Sequence, residues 1–491
     1  MDMQHSPIAA PADDGALYLR IAHGLAEAIR RGGLARGQRL PSVRETARQH
    51  GVAISTAVQA YHWLEDARLI EARPRSGFFV TTRPVPRALP EPTIARATRR
   101  AHMVSVDVLG RRLLAQPPQG DNGGSTVISF SSGTPGASML DHDRVRRTLV
   151  RAVQRHRDLL CHYPEPDGHI EARRALARYA LHLGCSLDPE RITITAGCME
   201  AISLCLRAAT QPGDVVAIES PTHYSFLELL QSLHLRALEI PTHPRHGLSL
   251  DALQLALDTQ PVKAVLVVPT LSNPLGSCMP VSERRRLAQM AARHGIAVIE
   301  DAVYNDLAFH DEYRRTVKSF DDGSGHVMLC DSFTKTVAPG LRLGWVEAGR
   351  WTEALRRLKN VQGAQTAVVE LAVANLISQA GHTAAMRQLR NATAVRLELA
   401  RGLIAEHFPA GTRVSDPPGG MLLWVELPRG ADAQALQQVA QAEGILVAPG
   451  SLFSAHARFK GCLRIGIGAD WGEGHPAALK RVGELACSLL K

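Results

Sequence analysis

The stretch SFTKTVAPGLRLGW (332–345) specifies the fold of the larger part of this chain. It places Lys335 between Ser332 and a Pro-Gly turn, and Arg342 follows seven residues after the lysine. Lysine is rare here, since only seven of the 56 basic residues are lysines and the first of them is Lys263. A solvated surface position does not account for a lysine embedded in such a motif, so we expect it to have a chemical role.

The bulk composition indicates a globular protein of at least two domains, because 491 residues exceed what one core usually supports. Hydrophobic and charged contents of 45% and 21% are ordinary for soluble proteins. We find no apolar run long enough to span a membrane and no signal-peptide pattern, which predicts a cytoplasmic protein with no membrane partner. The eight cysteines are scattered without CxxC spacing, so neither a disulfide framework nor a metal site is indicated.

The formal charge of +9 is concentrated near the N-terminus. Residues 15–100 contain 15 arginines and 6 acidic residues, so the rest of the chain is close to neutral. A basic segment of domain size beside a neutral body favours a module that binds a polyanion. A solvated basic surface is the alternative that charge alone leaves open.

This basic segment has the pattern of three helices followed by a hairpin. Apolar residues recur every four positions over 17–30, and Pro41-Ser42 opens a second short helix that ends near His50. A third helix is predicted over about Ser55–Ala67, and LIEARPRSGFFV (69–80) is predicted to form two short strands. Helices joined by a tight turn and followed by a hairpin form the winged helix-turn-helix plan.

The remaining chain divides into a linker and an α/β body. Residues 83–125 are rich in proline, arginine and glycine and are interpreted as a linker, which gives domains of 1–82 and 126–491. From about Val127 onwards, apolar strands alternate with helices, which predicts a mostly parallel central sheet covered on both faces. The predicted strands include VVAIES (215–220), KAVLVVP (263–269), IAVIED (296–301) and HVMLCDS (326–332).

Polar residues stand where several of these strands end. Asp301 closes one strand, Asn273 follows another, and Ser332 ends the strand before Lys335. Gly197 lies between ITIT and a predicted helix, so the N–H groups of that turn are available to a phosphate. Because ligands of such folds bind at the carboxyl ends of the strands, we expect these groups to converge on one anionic ligand. A strand-end aspartate that only caps a turn is the structural alternative.

The motif 332–345 resembles SFSK-x-x-x-PGLR-x-G(Y/W) of the fold-type I, pyridoxal-phosphate-dependent aminotransferases, and the resemblance extends over residues 127–491. It implies a smaller C-terminal α+β subdomain and the cofactor pyridoxal 5′-phosphate, held by Lys335 as an aldimine. It also implies that Asp301 faces the pyridinium nitrogen and keeps the ring an electron sink. The other cofactor-binding positions that it implies are Asn273, Tyr304, Ser332, Arg342, Gly197, Cys198, Met199, Tyr224 and Tyr163.

Two positions in the implied site have alternatives, and another implies a second subunit. The stacking residue on the cofactor ring is either His223 or Tyr224, since both fall in the matching stretch ESPTHYSF. Tyr163 matches a tyrosine that reaches the phosphate of a neighbouring subunit, which implies a head-to-tail homodimer. Arg464 matches the arginine that binds the α-carboxylate of an amino-acid ligand, although an arginine in an apolar strand can also pair with a core carboxylate.

The stretch from Gly37 to Val80 resembles the winged-helix domain of the GntR family, including LPSVRE, the ST that begins the third helix, and RPRSG. The resemblance implies contacts to double-stranded DNA from Arg44, Ser55, Thr56, Arg75 and Gly77. Two residues depart from the family: Ala53 stands where a serine is usual, and Ile54 stands where a polar or basic residue is usual. Alanine cannot cap a helix, and isoleucine offers bases only an apolar contact. Arg68 replaces a common glycine. A helical dimerisation module is the alternative.

The two halves together resemble MocR-type transcriptional regulators. The resemblance implies a DNA-binding regulator whose aminotransferase-like domain senses an amine or amino acid by aldimine exchange on Lys335, with Arg464 binding the effector carboxylate. An active aminotransferase with an accessory DNA-binding domain is the competing hypothesis, because the catalytic set is complete and Lys335 can act as a proton shuttle. A repressor that senses only the cofactor is a third. The first hundred residues favour regulation, because transamination has no use for them.

Overall fold

The computed structural model describes residues 17–30, 34–35, 37–66, 69–73, 76–80, 89–98, 100–104, 127–456 and 458–490. They fall into two compact units divided after Val85. We call them the N-terminal unit and the large unit, and the domain bounds given above stay predictions. Among the described residues, no helix combines the length and apolarity that a membrane crossing needs.

The N-terminal unit has the predicted three helices and hairpin. Its helices span Leu17–Arg30, Val43–Gln49 and Ile54–Asp66, and its strands Ile70–Arg73 and Gly77–Val80 pair antiparallel. Ser42 caps the second helix in a capping box with Glu45, which explains why the helix begins there. The fully buried Tyr61 fixes the third helix on the second, because its hydroxyl lies 2.8 Å from the Thr46 hydroxyl.

The large unit is built around a mixed, mostly parallel sheet, as predicted. In spatial order its described strands are His102–Met103, Arg236–His243, Val215–Ser220, Val262–Val267, Ala297–Asp301, Val327–Ser332, Gly344–Glu347 and Ile192–Thr195, with Gly247–Leu248 added on Arg236–His243. The five strands from Arg236–His243 to Val327–Ser332 are parallel, and the strands outside them are antiparallel to their neighbours. We call this the large sheet.

Both faces of the large sheet are buried, which explains the uninterrupted apolar runs in the sequence. Along Val215–Ser220, Val216 and Ile218 join one hydrophobic cluster while Val215 and Ala217 join the cluster on the opposite face. The covering helices of the unit span His142–Arg155, Ile170–Ala180, Cys198–Ala209, Tyr224–Ser232, Leu250–Thr259, Val281–His294, Thr352–Gln362 and Ala367–Ser378.

A smaller α+β subdomain follows the long helix Ala380–His407, as the resemblance implied. Its antiparallel sheet contains Arg413–Val414, Leu422–Glu426, Cys462–Gly466 and Ala448–Pro449 in spatial order, and we call it the small sheet. The helices Ala433–Ala442 and Gly474–Leu489 belong to this subdomain. A short parallel pair, Ile128–Ser129 with Ile445–Leu446, joins the start of the unit to it.

Part of the segment interpreted as a linker is ordered on the large unit. His102–Met103 forms an edge strand of the large sheet, and Ala101 and Val104 are buried on either side of it. Edge pairing needs mainly backbone groups, so a segment with few apolar residues can take part in it. The linker interpretation stays a prediction for residues 83–88, 99 and 105–125, which lie outside the described residues.

Candidate functional site

The predicted polar residues meet at one edge of the large sheet. Val262–Val267, Ala297–Asp301 and Val327–Ser332 are parallel neighbours, so their carboxyl ends lie side by side. Asp301 and Ser332 are the last residues of two of these strands, and Asn273 follows the third. This edge is where open α/β sheets bind their ligands.

Lys335 is held at this edge as an amine with a reduced affinity for protons. Its Nζ donates a hydrogen bond of 2.6 Å to Thr134 Oγ1. Burial lowers the pKa of Lys335 to about 8, helped by the positive charges of Arg464 and Arg342 and opposed by the charge of Asp301. A neutral amine is the form that attacks a carbonyl group, so this environment prepares the lysine for nucleophilic chemistry.

Two other shielded lysines of the unit have a different environment. Lys359 is fully buried and pairs with Glu200 at 2.9 Å, and Lys318 pairs with both Asp321 at 2.9 Å and Glu347 at 2.6 Å. Both of these amines are therefore paired with carboxylates. Lys335 instead donates to a hydroxyl, which separates it from the structural lysines.

Asp301 is buried, and one of its oxygens already has two donors. Oδ1 accepts hydrogen bonds from the Val303 N–H at 3.0 Å and from the Cys198 thiol at 3.2 Å. Burial raises the pKa of Asp301, while these two hydrogen bonds and the charge of Lys335 oppose the increase. Burial also raises the pKa of the Cys198 thiol well above its usual range, so the sulfur keeps the proton that it donates.

Arg464 is a buried cation without a carboxylate partner among its described hydrogen bonds. Nη1 donates to Asn273 Oδ1 at 3.0 Å and Nη2 donates to the Ser131 carbonyl, while Nε is buried without a hydrogen bond. The side chain is 2% exposed, and burial lowers the pKa of its guanidinium. The alternative that Arg464 serves a core carboxylate is therefore not what its described partners support. A buried cation whose described partners are neutral is an environment that suits an anionic ligand.

Tyr304 lies beside this arginine and is also buried. Its hydroxyl donates to the Gly133 carbonyl at 3.3 Å and has a further hydrogen bond with Asn273. Burial raises the pKa of Tyr304, so the phenol is a proton donor at neutral pH. Asn273, Tyr304 and Arg464 thus form one connected polar group.

The turn before the helix Cys198–Ala209 has the shape expected of an anion site. Gly197 has φ +96°, and a Cβ there would lie 2.8 Å from Arg342 Nη2. Arg342 itself adopts the left-handed conformation and donates from Nη2 to the Ala196 carbonyl at 2.9 Å. Glycine is needed for both reasons, and the arginine is placed against the helix N-terminus, where anions bind.

The other predicted cofactor residues differ in their surroundings. Ser332 Oγ donates to Thr334 Oγ1 at 3.2 Å, and Met199 packs against the main hydrophobic cluster. Burial and the charges of Arg464 and Lys335 lower the pKa of His223 to about 3, so the imidazole is neutral. Tyr224 packs beside Phe453, and the Arg464 guanidinium lies 5.9 Å from its ring centre. Tyr224 also has a side-chain hydrogen bond with Arg464, so both candidates lie at the site and the choice between them for ring stacking stays a prediction.

Tyr163 is not brought to the site within one chain. Its side chain is fully exposed at 103%. Its predicted contact belongs to a neighbouring subunit, so the role of Tyr163 stays a prediction.

One segment that faces these side chains was not predicted from the sequence. In SSGT (131–134), Ser131 and Gly133 accept from Arg464 and Tyr304, and Thr134 accepts from Lys335. The available signal was a run of glycine and hydroxyl residues directly after the strand Ile128–Ser129. The thiol contact of Cys198 had no signal, since its partner lies 103 residues away.

In the N-terminal unit, the predicted DNA contacts lie at the starts of two helices and on the hairpin. Arg44 and Ser55 are exposed, and Thr56 is half-buried. Gly77 has φ +98° and begins the second strand of the hairpin. Arg75 and Arg68 lie outside the described residues.

Two further residues of this unit bear on recognition. Arg39 is exposed and forms a bridge with Phe79, which adds a third short segment to the hairpin. It was not among the predicted contacts, although it lies two residues after a glycine in a basic segment. Ile54 is 54% exposed at the start of the third helix, which keeps an apolar base contact open to it.

Two family profiles match the chain. "Aminotransferase class I and II" matches residues 125–474, and "Bacterial regulatory proteins, gntR family" matches residues 17–80. The "Uncharacterized HTH-type transcriptional regulator YjiR" of Escherichia coli K12 is 36% identical over 468 residues, covering 95% of this chain and 98% of its own. The "Probable rhizopine catabolism regulatory protein MocR" of Rhizobium meliloti is 26% identical over 441 residues, covering 89% and 87%.

Solved structures match the large unit. Kynurenine aminotransferase from Pyrococcus horikoshii, solved with PMP, has a TM-score of 0.70 and 27% identity and covers 75% of this chain and 92% of its own. LysN, the α-aminoadipate aminotransferase of Thermus thermophilus, was solved with N-(5′-phosphopyridoxyl)-L-leucine. It has a TM-score of 0.69 and 25% identity and covers 74% of this chain and 93% of its own.

Proposed function

We propose that this chain, which belongs to the MocR-type transcriptional regulators, is a pyridoxal-phosphate-dependent regulator that senses an amine or amino acid at Lys335. Its gntR-family unit binds DNA, and its large unit has the aminotransferase class I and II fold. The observation that carries the sensing proposal is the pair of groups at the site. Lys335 has a pKa lowered to about 8, and Arg464 is a buried cation that lacks a carboxylate among its described hydrogen bonds.

The residues present fit pyridoxal 5′-phosphate. Asp301 has both described donors on Oδ1, so Oδ2 is left for the pyridine nitrogen of the cofactor. The turn at Gly197 and the guanidinium of Arg342 suit the phosphate, because a helix N-terminus and an arginine both favour an anion. The full set that would hold the cofactor is Lys335, Asp301, Asn273, Tyr304, Ser332, Arg342, Gly197, Cys198, Met199 and either His223 or Tyr224, with Tyr163 from a second copy.

When bound, pyridoxal 5′-phosphate supplies an aldehyde that condenses reversibly with primary amines. The protein contributes its own amine, which competes with ligand amines for the aldehyde, and hydrogen-bonding groups at defined positions. Lys335 provides an amine that is half deprotonated at about pH 8, and Thr134 Oγ1 orients its Nζ. Tyr304 and Asn273 offer further hydrogen bonds at the site.

The ligand class follows from the charges at the site. A primary amine competes with Lys335, and a carboxylate neutralises Arg464, so an amino acid satisfies both groups at once. Arg464 donates to Asn273 and Ser131, and these two bonds leave further N–H groups of the guanidinium, including Nε, for a carboxylate. Double-stranded DNA is the second partner, and we place the protein in the cytoplasm as a head-to-tail homodimer.

Transamination is the second candidate function. The lowered pKa of Lys335 favours it, because a lysine near neutrality can both accept and donate a proton during catalysis. Incubation of the purified full-length protein with a panel of amino donors and a keto-acid acceptor tests this. Steady turnover above that of Lys335→Ala would assign the enzyme function, and absence of turnover would leave sensing alone.

Regulation is tested by footprinting the full-length protein on the DNA upstream of its own gene. The reaction is run with apo-protein, with added pyridoxal 5′-phosphate, and with the cofactor plus each of the twenty amino acids. Sensing predicts that at least one amino acid changes the affinity or the protected length only when the cofactor is present. A change with the cofactor alone would assign the repressor that senses only the cofactor. Equal footprints in all reactions would contradict both.

A further inference from the structure

Residues 89–104 of the large unit, described except for residue 99, form a segment that belongs to neither family match. The gntR profile ends at residue 80 and the aminotransferase profile begins at residue 125. We infer that this segment, which we call the strap, reports ligand-dependent movement between the large and small sheets to the DNA-binding unit. The inference rests on the proposed function and names the segment through which the effect of the ligand would reach the DNA-binding unit.

The N-terminal end of the strap is bound to the small sheet. The Val414 N–H donates to the Pro90 carbonyl at 2.9 Å. Thr93 donates from its N–H and its hydroxyl to the Glu426 carboxylate, at 2.6 and 2.9 Å. Val414 and Glu426 lie on neighbouring strands of that sheet, so two strands hold this end, while the Glu91 carboxylate also pairs with Arg245 beside the large sheet.

The C-terminal end of the strap is bound to the large sheet. His102–Met103 pairs antiparallel with Arg236–His243. Four residues before His102, Thr98 donates from its hydroxyl to the Glu239 carbonyl at 3.0 Å. The Ala101 N–H donates to Gln260 Oε1 at 3.2 Å. Between Thr93 and Thr98 the strap passes from one sheet to the other.

The ligand groups of the proposed site are divided between the same two sheets. Arg464 belongs to Cys462–Gly466 of the small sheet, whereas Asp301 and Ser332 end strands of the large sheet. A ligand with its carboxylate on Arg464 and its amine at the cofactor therefore joins the two sheets. A change in their spacing bears on the strap, because Thr93 is bound to the small sheet and Thr98 and His102 are bound to the large sheet.

A direct chain of contacts also joins the site to the strap. The Arg464 guanidinium lies 4.9 Å from the centre of the Phe453 ring. The next residue, Ser454, donates from its hydroxyl to the fully buried Glu239 carboxylate at 2.8 Å, and the backbone carbonyl of Glu239 accepts from Thr98. Arg458 makes a second connection, since its Nη2 donates to the Arg96 carbonyl at 2.7 Å.

The strap is the part of the large unit that follows the DNA-binding unit in the chain, with residues 81–88 between them. The strap is therefore the first described segment of the large unit that a signal passing along the chain to the N-terminal unit would cross. Allosteric coupling of this kind typically corresponds to a roughly 5- to 150-fold change in affinity.

The test uses the full-length protein and two probes that differ by the amino-acid part. N-(5′-phosphopyridoxyl)-L-leucine carries a carboxylate for Arg464, and pyridoxamine 5′-phosphate does not. Hydrogen–deuterium exchange is followed in peptides that cover residues 89–98. We expect the leucine adduct to change the exchange rate at least twofold, and pyridoxamine phosphate to leave the rate as it is in the apo-protein.

Glu426→Ala releases the first anchor and is expected to accelerate exchange at 89–93 about tenfold and to remove its dependence on the adduct. Glu443→Ala is the matched control, because Glu443 pairs with Arg481 inside the small subdomain and touches no strap residue in its described bonds. Thr98→Val tests the second anchor with a smaller change. In a DNA-binding titration, Glu426→Ala and Thr98→Val, which we call the strap variants, should lose most of the adduct-dependent change in Kd. Glu443→Ala should keep that change.

The outcomes separate the two proposals. Binding of the leucine adduct is measured by the quenching of protein fluorescence. If the adduct does not bind, the proposed function is wrong. If the adduct binds and alters the Kd for DNA, but the exchange of 89–98 stays constant and the strap variants keep that change, the strap inference is wrong and the function stands.

Discussion

The arginines of the two binding regions differ in their exposure to solvent. In the N-terminal unit, Arg44 and Arg39 are exposed, so DNA phosphates can reach them without displacing protein groups. In the large unit, Arg464 is 2% exposed and bonds only to neutral groups in the described hydrogen bonds. On the proposed function, the first region would bind a polyanion through many weak, salt-sensitive contacts, while the second would bind a small anion through one desolvated contact.

Cofactor attachment should show the strongest response to substitution. Lys335→Ala should remove the covalent attachment completely, because no other lysine among the described residues has its amine on Thr134. Borohydride trapping followed by peptide mass spectrometry measures this. Lys263→Ala, which changes an exposed lysine of the same unit, is the control and should label as the wild type does. Equal labelling of both variants would contradict the assignment of Lys335.

Arg464→Met tests the contrast between the two kinds of arginine directly. It should weaken binding of N-(5′-phosphopyridoxyl)-L-leucine by about 100-fold, since hydrogen bonds to charged groups contribute roughly 1.5–3 kcal/mol each. Binding of pyridoxamine 5′-phosphate should change little, because it lacks the carboxylate. The stability of the apo-protein should be kept or increased, as the variant removes a buried charge. Equal weakening of both ligands would show a structural role instead.

The pH dependence of cofactor capture follows from the environment of Lys335. Its pKa of about 8 lies below the ordinary 10.5, so the rate of capture should rise with pH and level off above about pH 8. Below that value the rate should fall by about tenfold per pH unit as the amine is protonated. The folded state also binds fewer protons than the unfolded state between pH 8 and 10.5, so apo-protein stability should gain from this group over that window. A rate that still rises steeply at about pH 10 would contradict the lowered pKa.

Arg44→Ala tests the exposed side of the comparison. It should weaken DNA binding by about tenfold and reduce the slope of log K against log salt concentration by about 0.9, the value for one phosphate contact. Arg151→Ala, at an exposed position of the large unit, should leave both quantities unchanged. An unchanged slope for Arg44→Ala would place this arginine away from the duplex.

A more modest change is expected at the start of the third helix. Ala53 precedes Ile54–Asp66, and the Thr56 N–H donates to its carbonyl at 3.0 Å, as at a helix start without a side-chain cap. Ala53→Ser should raise the free energy of unfolding of the N-terminal unit by about 1 kcal/mol. Thermal unfolding followed by tryptophan fluorescence detects this, since Trp63 lies in the same helix. Ala97→Ser in the strap should not change that transition.

The sequence was informative wherever a local pattern carried the information. The apolar runs predict the parallel strands, and the structure confirms them at Val215–Ser220, Ala297–Asp301 and Val327–Ser332. The motif around Lys335 predicts the family of the large unit, and the profile match at 125–474 confirms it. These features depend on neighbours in the chain or on a fixed spacing, so a one-dimensional pattern suffices.

The environment of each group was settled only by tertiary packing. Lys335 and Thr134 are 201 positions apart, and Cys198 and Asp301 are 103 apart, so no local pattern links them. The lowered pKa of Lys335 arises from burial and from the charge of Arg464, which a distant segment brings in, as well as from Arg342 of its own motif. The strap likewise has the composition of a linker, and its bonds, from backbone groups and from the Thr93 and Thr98 hydroxyls, are made to two sheets that are distant in the sequence. The sequence determines which chemical groups are present and how they are spaced along the chain. Long-range packing determines which of these groups are buried and which of them come into contact.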